Sequence, residues 1–225
     1  VEHIERHDMW LQEWLMHQRR NATISVQRYI RFNAYMEQRA ACAHPNPQNS
    51  LGMHIRHSDK WTSRYIIPVR EFLPYCTAFV DHGGASIYLA TDSSKVLNEI
   101  LLTWPGRVVD RLIVQEGVKG LSSNGSAAFD LGIGNHRTNT EALTDLLALS
   151  KCTYLLHGLS ALTEAVFYIN PGLARRAINL DDNELDYTVG YFVNHVLPRG
   201  RNMTLSSGKK ANVKSAINAS HLRRR

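Results

Sequence analysis

The 225-residue sequence is most informative first for what it lacks. Its three cysteines, Cys42, Cys76 and Cys152, are scattered and share no CxxC spacing. They offer neither a zinc ligand set nor a disulfide framework, and leave room for one bridge plus a free thiol. No apolar run approaches the ~18 residues of a membrane span, and the N-terminus lacks the charged-then-apolar layout of a signal peptide. Any anchor or targeting segment is therefore expected outside this sequence. There is no GxGxxG, no P-loop and no internal repeat, so nicotinamide-dinucleotide and kinase-type readings lack their fingerprints.

Acids are missing altogether from Tyr187 onward, where Arg199, Arg201, Lys209, Lys210, Lys214, Arg223, Arg224 and Arg225 accumulate. The net charge of +6 is therefore a property of the tail, and the body is slightly acidic. A solvated tail over 199–225 is the simplest account. Contact with nucleic acid or an acidic membrane surface is the alternative, and nothing in the tail's residues singles it out.

What is present is ordinary for a globular chain: 44% hydrophobic and 20% charged residues, too apolar for intrinsic disorder. Four Asn-x-Ser/Thr sequons, at Asn21, Asn124, Asn202 and Asn218, lean towards a secretory compartment.

The first fifty residues read as a helical lead-in, the end of a preceding domain, with Trp10, Leu11, Trp14 and Leu15 on one face. His44 to Ser50 is turn chemistry. Short apolar runs then alternate with helical stretches: strands at 51–56, 86–91, within 107–114, at 153–157 and at 176–180, helices at 68–80, 96–103, 138–151 and 161–170. Asp92-Ser93-Ser94 is expected to cap one helix and Thr138 or Asn139 another. Residues 187–196 form a final packed element, and 117–134 is the longest loop. Strands separated by helices of this length imply βαβ units: an α/β fold with a Rossmann-like parallel sheet and helices on both faces, over 51–198. Such sheets bind ligands beyond the carboxyl ends of their strands.

At those ends the densest chemistry is His54-Ile-Arg56-His57-Ser-Asp59-Lys60. His54 and Arg56 share a face by period-two alternation. Arg56 suits bidentate contact with phosphate oxygens, and Lys60 a point charge on a leaving group. His136-Arg137 stands just before the helix that carries Asp145, where contact with a ligand and a plain loop surface are equal readings.

Leu51-Gly-Met-His-Ile-Arg-His-Ser-Asp-Lys60 resembles the first motif of the α1,6-fucosyltransferase family. Ser86-Ile-Tyr-Leu-Ala-Thr-Asp92 resembles its second, and the stretch from Asp145 to Ser160 its third, in the family's order. Leu180-Asp181-Asp182 resembles a segment just beyond, and the similarity runs from about Trp10 to Asp182. The resemblance implies the C-terminal, donor-binding half of a GT-B-like glycosyltransferase. It implies transfer of fucose from GDP-fucose with inversion, without a required metal, to the core N-acetylglucosamine of an N-glycan in a Golgi-type lumen.

Carried over by position, His54 and Asp145 would contact the guanosine and Arg56 the β-phosphate. Asp59 and Lys60 would complete the phosphate and fucose site, with Arg56, Asp59 and Lys60 the catalytic set. His57, Thr91, Asp92 and Ser160 would line the same pocket. His57 replaces the second arginine of the family's pair, Ser93 its second aspartate, and Arg64 its glutamate, a candidate base. That role would pass to Asp59 or Glu71. Protein O-fucosylation, another GDP-sugar transfer, or a GDP-sugar-binding module with a nucleic-acid-binding tail are the alternatives.

Overall fold

A computed structural model of the chain describes residues 11–57, 66–116, 135–181 and 188–200. Its centre is a sheet of five strands: β1 (Ser50–Ile55), β2 (Ser86–Thr91), β3 (Leu112–Val114), β4 (Tyr154–His157) and β5 (Ala177–Asn179). All pair in parallel, in the order β3-β2-β1-β4-β5. The chain winds outward from β1 through β2 to β3, then returns to the other side of β1 for β4 and β5. The direction of winding therefore reverses between β1 and β4, the place where an open parallel sheet leaves a crevice at its carboxyl edge.

Every residue of β1 is buried, as befits a strand covered on both faces. Alternation sends Leu51, Met53 and Ile55 to one face, where they join Ile87, Leu89, Tyr154, Leu156 and Ile178. That face is closed by three helical elements. Two are α3 (Leu73–Asp81) and α4 (Ser94–Thr103); the third is a terminal segment starting with α8 (Val189–Tyr191), which buries Phe192 and Val196. The opposite face carries Gly52, His54, Tyr88, Ala90 and Leu155 under α6 (Asn135–Lys151) and α7 (Ala161–Ile169). Gly52 is what lets α6 lie so close. A Cβ at that position would stand 2.9 Å from Leu149 Cδ2 and 3.2 Å from Cys152 Sγ.

The lead-in is two helices, α1 (Leu11–Tyr29) and α2 (Ala34–Ala43), and both pack on the sheet domain: α1 on α7, α2 on α6. Asn33 caps α2 by accepting from the Met36 N–H at 2.9 Å. Arg19 of α1 forks onto Glu164 of α7, with its Nε 2.8 Å from Oε2, and covers the Phe167 ring at 4.7 Å. Ile24, Tyr29, Ile30 and Tyr35 all face solvent. Trp14 is half-buried, whereas Trp10 lies outside the described residues.

The structure corrects several boundaries. The strand expected within 107–114 is its last three residues, and Arg107 to Val109 belong to the helical turn α5 (Gly106–Val109), closed by the Asp110 N–H on the Gly106 carbonyl at 2.8 Å. Only Leu112–Val114 pairs with β2, so β3 is a short edge strand. Helix α6 begins at Asn135, which places Thr138 and Asn139 inside it rather than at its cap, along with His136 and Arg137. The helix after Pro68 is split into a 3₁₀ turn (Val69–Glu71) and α3. Arg199 and Gly200 belong to the folded terminal segment, where Gly200 backs onto the Tyr154 ring; 201–225 lie outside the described residues.

The cysteines are all unbridged. Cys76 meets Met53 Sδ at 3.6 Å on one sheet face, Cys152 lies beside His44 on the other, and Cys42 is exposed, so no bridge joins them. Among the described residues no helix is long and apolar enough to cross a membrane.

Gly52→Ala tests the close approach of α6. The added methyl has to displace Leu149 in a packed core, and a loss of about 1–3 kcal/mol of unfolding free energy is expected in urea titration. An unchanged midpoint would show that the helix stands off freely.

Candidate functional site

The strands deliver their polar residues to one edge because they are parallel and in register. At the fourth and last rung of β4, His54 of β1 lies between Ala90 of β2 and His157 of β4. Just beyond β1 the chain runs through Arg56 and His57. Just beyond β4 it makes the Gly158-Leu159-Ser160 turn into α7. A narrow hollow opens between these two exits, lined by His54, Arg56 and His57 on one side and Gly158, Leu159 and Ser160 on the other. Ile67 and Phe72 close it from below. The space inside is about 10 Å³, room for one water at most.

Both exits are pinned by aspartates. Asp92, one residue past β2, accepts from the His57 backbone N–H at 2.9 Å, and its other oxygen stands 3.8 Å from Arg56 Nε. It thus fixes where β1 ends rather than capping α4, whose N-cap residue Ser93 makes no side-chain cap bond. His57 donates through Nε2 to the Ile67 carbonyl at 2.8 Å, which orients its ring. Across the crevice, Asp181 accepts from the Leu159 N–H at 2.7 Å, and the Leu180 N–H reaches the His157 carbonyl at 2.8 Å. The sequence resemblance places Asp181 next to the site. Its carboxylate holds the β4 turn from the neighbouring strand.

Ser160 lines the hollow and also caps α7, accepting from the Leu162 N–H at 3.2 Å. Thr91 ends β2 and accepts from the Ser93 N–H at 3.3 Å. Asp145 sits on α6 and is not part of the hollow's lining. Its Oδ1 accepts from the Tyr88 hydroxyl at 2.6 Å. Burial, with a smaller push from Glu141, raises its carboxyl to about 7 against the pull of that hydrogen bond. Glu71 is exposed on the 3₁₀ turn and does not line the hollow either. Asp59, Lys60, Arg64 and Asp182 lie outside the described residues.

Ile67, Phe72 and the pinning role of Asp181 were not legible in the sequence. The first two look like ordinary core residues, and the resemblance that marks Leu180-Asp181-Asp182 carries no sign of a bond from Asp181 to the β4 turn. Among the described residues no group of three His, Cys, Asp or Glu could hold a metal ion.

No family model and no curated protein matches the chain. Among solved structures it is similar to the fucosyltransferase NodZ from Bradyrhizobium, at 18% identity and a TM-score of 0.43, over 69% of this chain and 47% of that one. It is also similar to the NodZ α1,6-fucosyltransferase soaked with GDP-fucose, at 18% identity and a TM-score of 0.45, over 72% of this chain and 49% of that one. The chain thus spans about half the length of these structures.

His157 gives the site a pH signature. It is wholly buried against the Phe167 ring, centroids 5.3 Å apart, and donates from Nδ1 to the Gly158 carbonyl at 2.9 Å. Burial pulls its pKa down to about 4. The unfolded chain therefore takes up a proton near pH 6.5 that the fold refuses until about pH 4. Stability is lost as pH falls through that window, by roughly 2–3 kcal/mol from this residue. Asp145, whose folded pKa is raised, acts in the opposite direction, so the contrast must be made by substitution. His157→Gln should narrow its stability gap to wild type as urea titrations move from pH 7 to pH 4. A constant gap would mean that the imidazole takes up its proton at the same pH in the fold as in the unfolded chain.

Proposed function

We propose that the chain is the donor-binding half of a glycosyltransferase that takes fucose from GDP-fucose. The reading is supported by the hollow at the reversal between β1 and β4, where His54, Arg56 and His57 face the Gly158–Ser160 turn. It is supported equally by the order of the three motifs that place those residues there. In this reading the diphosphate lies at the carboxyl edge across β1 and β4. Arg56 exchanges part of its contact with Asp92 for phosphate oxygens, and Lys60 adds a second positive charge.

Breaking the bond between the sugar's anomeric carbon and the β-phosphate oxygen leaves negative charge on the GDP. Fixed cations meet that charge as it develops, so departure needs no metal in this scheme. The acceptor hydroxyl attacks from the opposite face of the sugar, which inverts the anomeric centre. Its proton passes to a carboxylate, Asp59 or Glu71. The 6-hydroxyl of an N-glycan's core N-acetylglucosamine is the acceptor this reading names, in a Golgi or other secretory lumen. Asn21, exposed on α1, would there be open to glycosylation.

Millimolar GDP should raise the melting temperature of the protein, and Arg56→Ala should weaken GDP binding by roughly 10- to 100-fold, the worth of a charge-assisted contact to phosphate. Incubation with labelled GDP-fucose and a panel of N-glycans tests transfer directly. Melting unaffected by GDP would remove the proposal.

A further inference from the structure

The hollow between β1 and β4 has space for about one water, and Asp145 is already engaged by Tyr88. Neither offers room for a purine ring. Room exists elsewhere on the same sheet face, beside the edge strand β3, in a cavity of about 690 Å³ between β3, α2 and α6. Gln115, the residue just past the end of β3, lines it. Gln115 is 94% buried, being 6% exposed, and both its amide oxygen and its amide nitrogen lack any hydrogen-bond partner. Among the described residues no other side chain has two buried atoms unpartnered. A buried amide left this way costs free energy in the empty protein, and a native structure that keeps one calls for an explanation.

The rest of the lining suits a flat, neutral ring. Arg39 is held by Thr144 Oγ1 at 3.3 Å and by the Tyr35 hydroxyl at 3.4 Å, and lies 5.8 Å from the Tyr35 ring. Glu116 lines the same cavity, so the lining carries one charged residue of each sign. A carboxamide pairs side by side with any edge that presents a donor next to an acceptor, as the lactam edge of guanine does. The position fits as well. β3 is two strand spacings, about 10 Å, from β1. A ribose crossing the end of β2, past Thr91 and Asp92, would join the two places.

We propose that the cavity at the end of β3 takes the nucleobase of the guanosine diphosphate whose diphosphate lies at the β1–β4 hollow, with the Gln115 carboxamide turned to pair with the ring's edge. The inference rests on the function proposed above. It moves recognition of the base from His54 and Asp145, where the family resemblance puts it, to Gln115.

Titration calorimetry with GDP and with inorganic diphosphate separates the two parts of the ligand. Gln115→Leu should weaken GDP tenfold or more and leave diphosphate binding as it is, whereas Arg56→Ala weakens both. Without ligand, Gln115→Leu should melt no lower than wild type, because it removes an unpaired amide rather than a contact. Cys42, exposed in the cavity lining, gives a second readout, since Cys76 and Cys152 are buried. GDP should slow its reaction with a maleimide in the wild-type protein, and diphosphate should not. If Gln115→Leu binds GDP like wild type, or if Asp145→Asn alone shows the GDP-selective loss, the base lies elsewhere and this inference fails while the proposed function stands. If wild-type protein binds neither GDP nor diphosphate, both fall.

Discussion

Parallel pairing of β1 with strands on both sides is the constraint from which the site follows. A strand hydrogen-bonded on each edge and covered on each face has no freedom of register, because a slip of one residue would exchange His54 and Met53 between two differently packed faces. With β1 fixed, the exits of β2 and β4 are fixed too, and the polar residues that follow each strand must meet at one edge. Nothing about the hollow requires a special loop sequence. It requires that β1, β2 and β4 stop within one residue of the same level.

The two aspartates show how that level is held. Each grips the backbone of a neighbouring exit: Asp92 grips His57, and Asp181 grips Leu159. Carboxylates on main-chain N–H groups are short, charge-assisted bonds that fix an amide without blocking the side chains around it. Arg56, His57 and Ser160 are thereby oriented from behind.

The sequence was legible where chemistry is local. The β1, β2 and β4 runs and the clustering of His54, Arg56 and His57 could all be read from alternation and turn residues. It was less legible where tertiary packing decided. Val108 and Val109 have strand-like side chains, yet Pro105 and Gly106 start a helical turn that buries Val108 completely. Helix α6 starts a turn early, at Asn135. Asp92 looked like a cap because it precedes a helix, and its real partner is thirty-five residues back in the chain. Gln115 carried no signal at all, since a glutamine after a short strand is unremarkable until its surroundings are known.

The fork of Arg19 onto Glu164, over the Phe167 ring, bears on how the polypeptide could be cut into pieces. Phe167 packs edge-on to His157, and His157 leads into the turn at the hollow. A shorter version starting at the sheet would strip the cover from an aromatic ring and strand a carboxylate beside it, one step from the crevice. The two lead-in helices are thus masonry of the same wall as the sheet, whatever precedes them in a longer polypeptide.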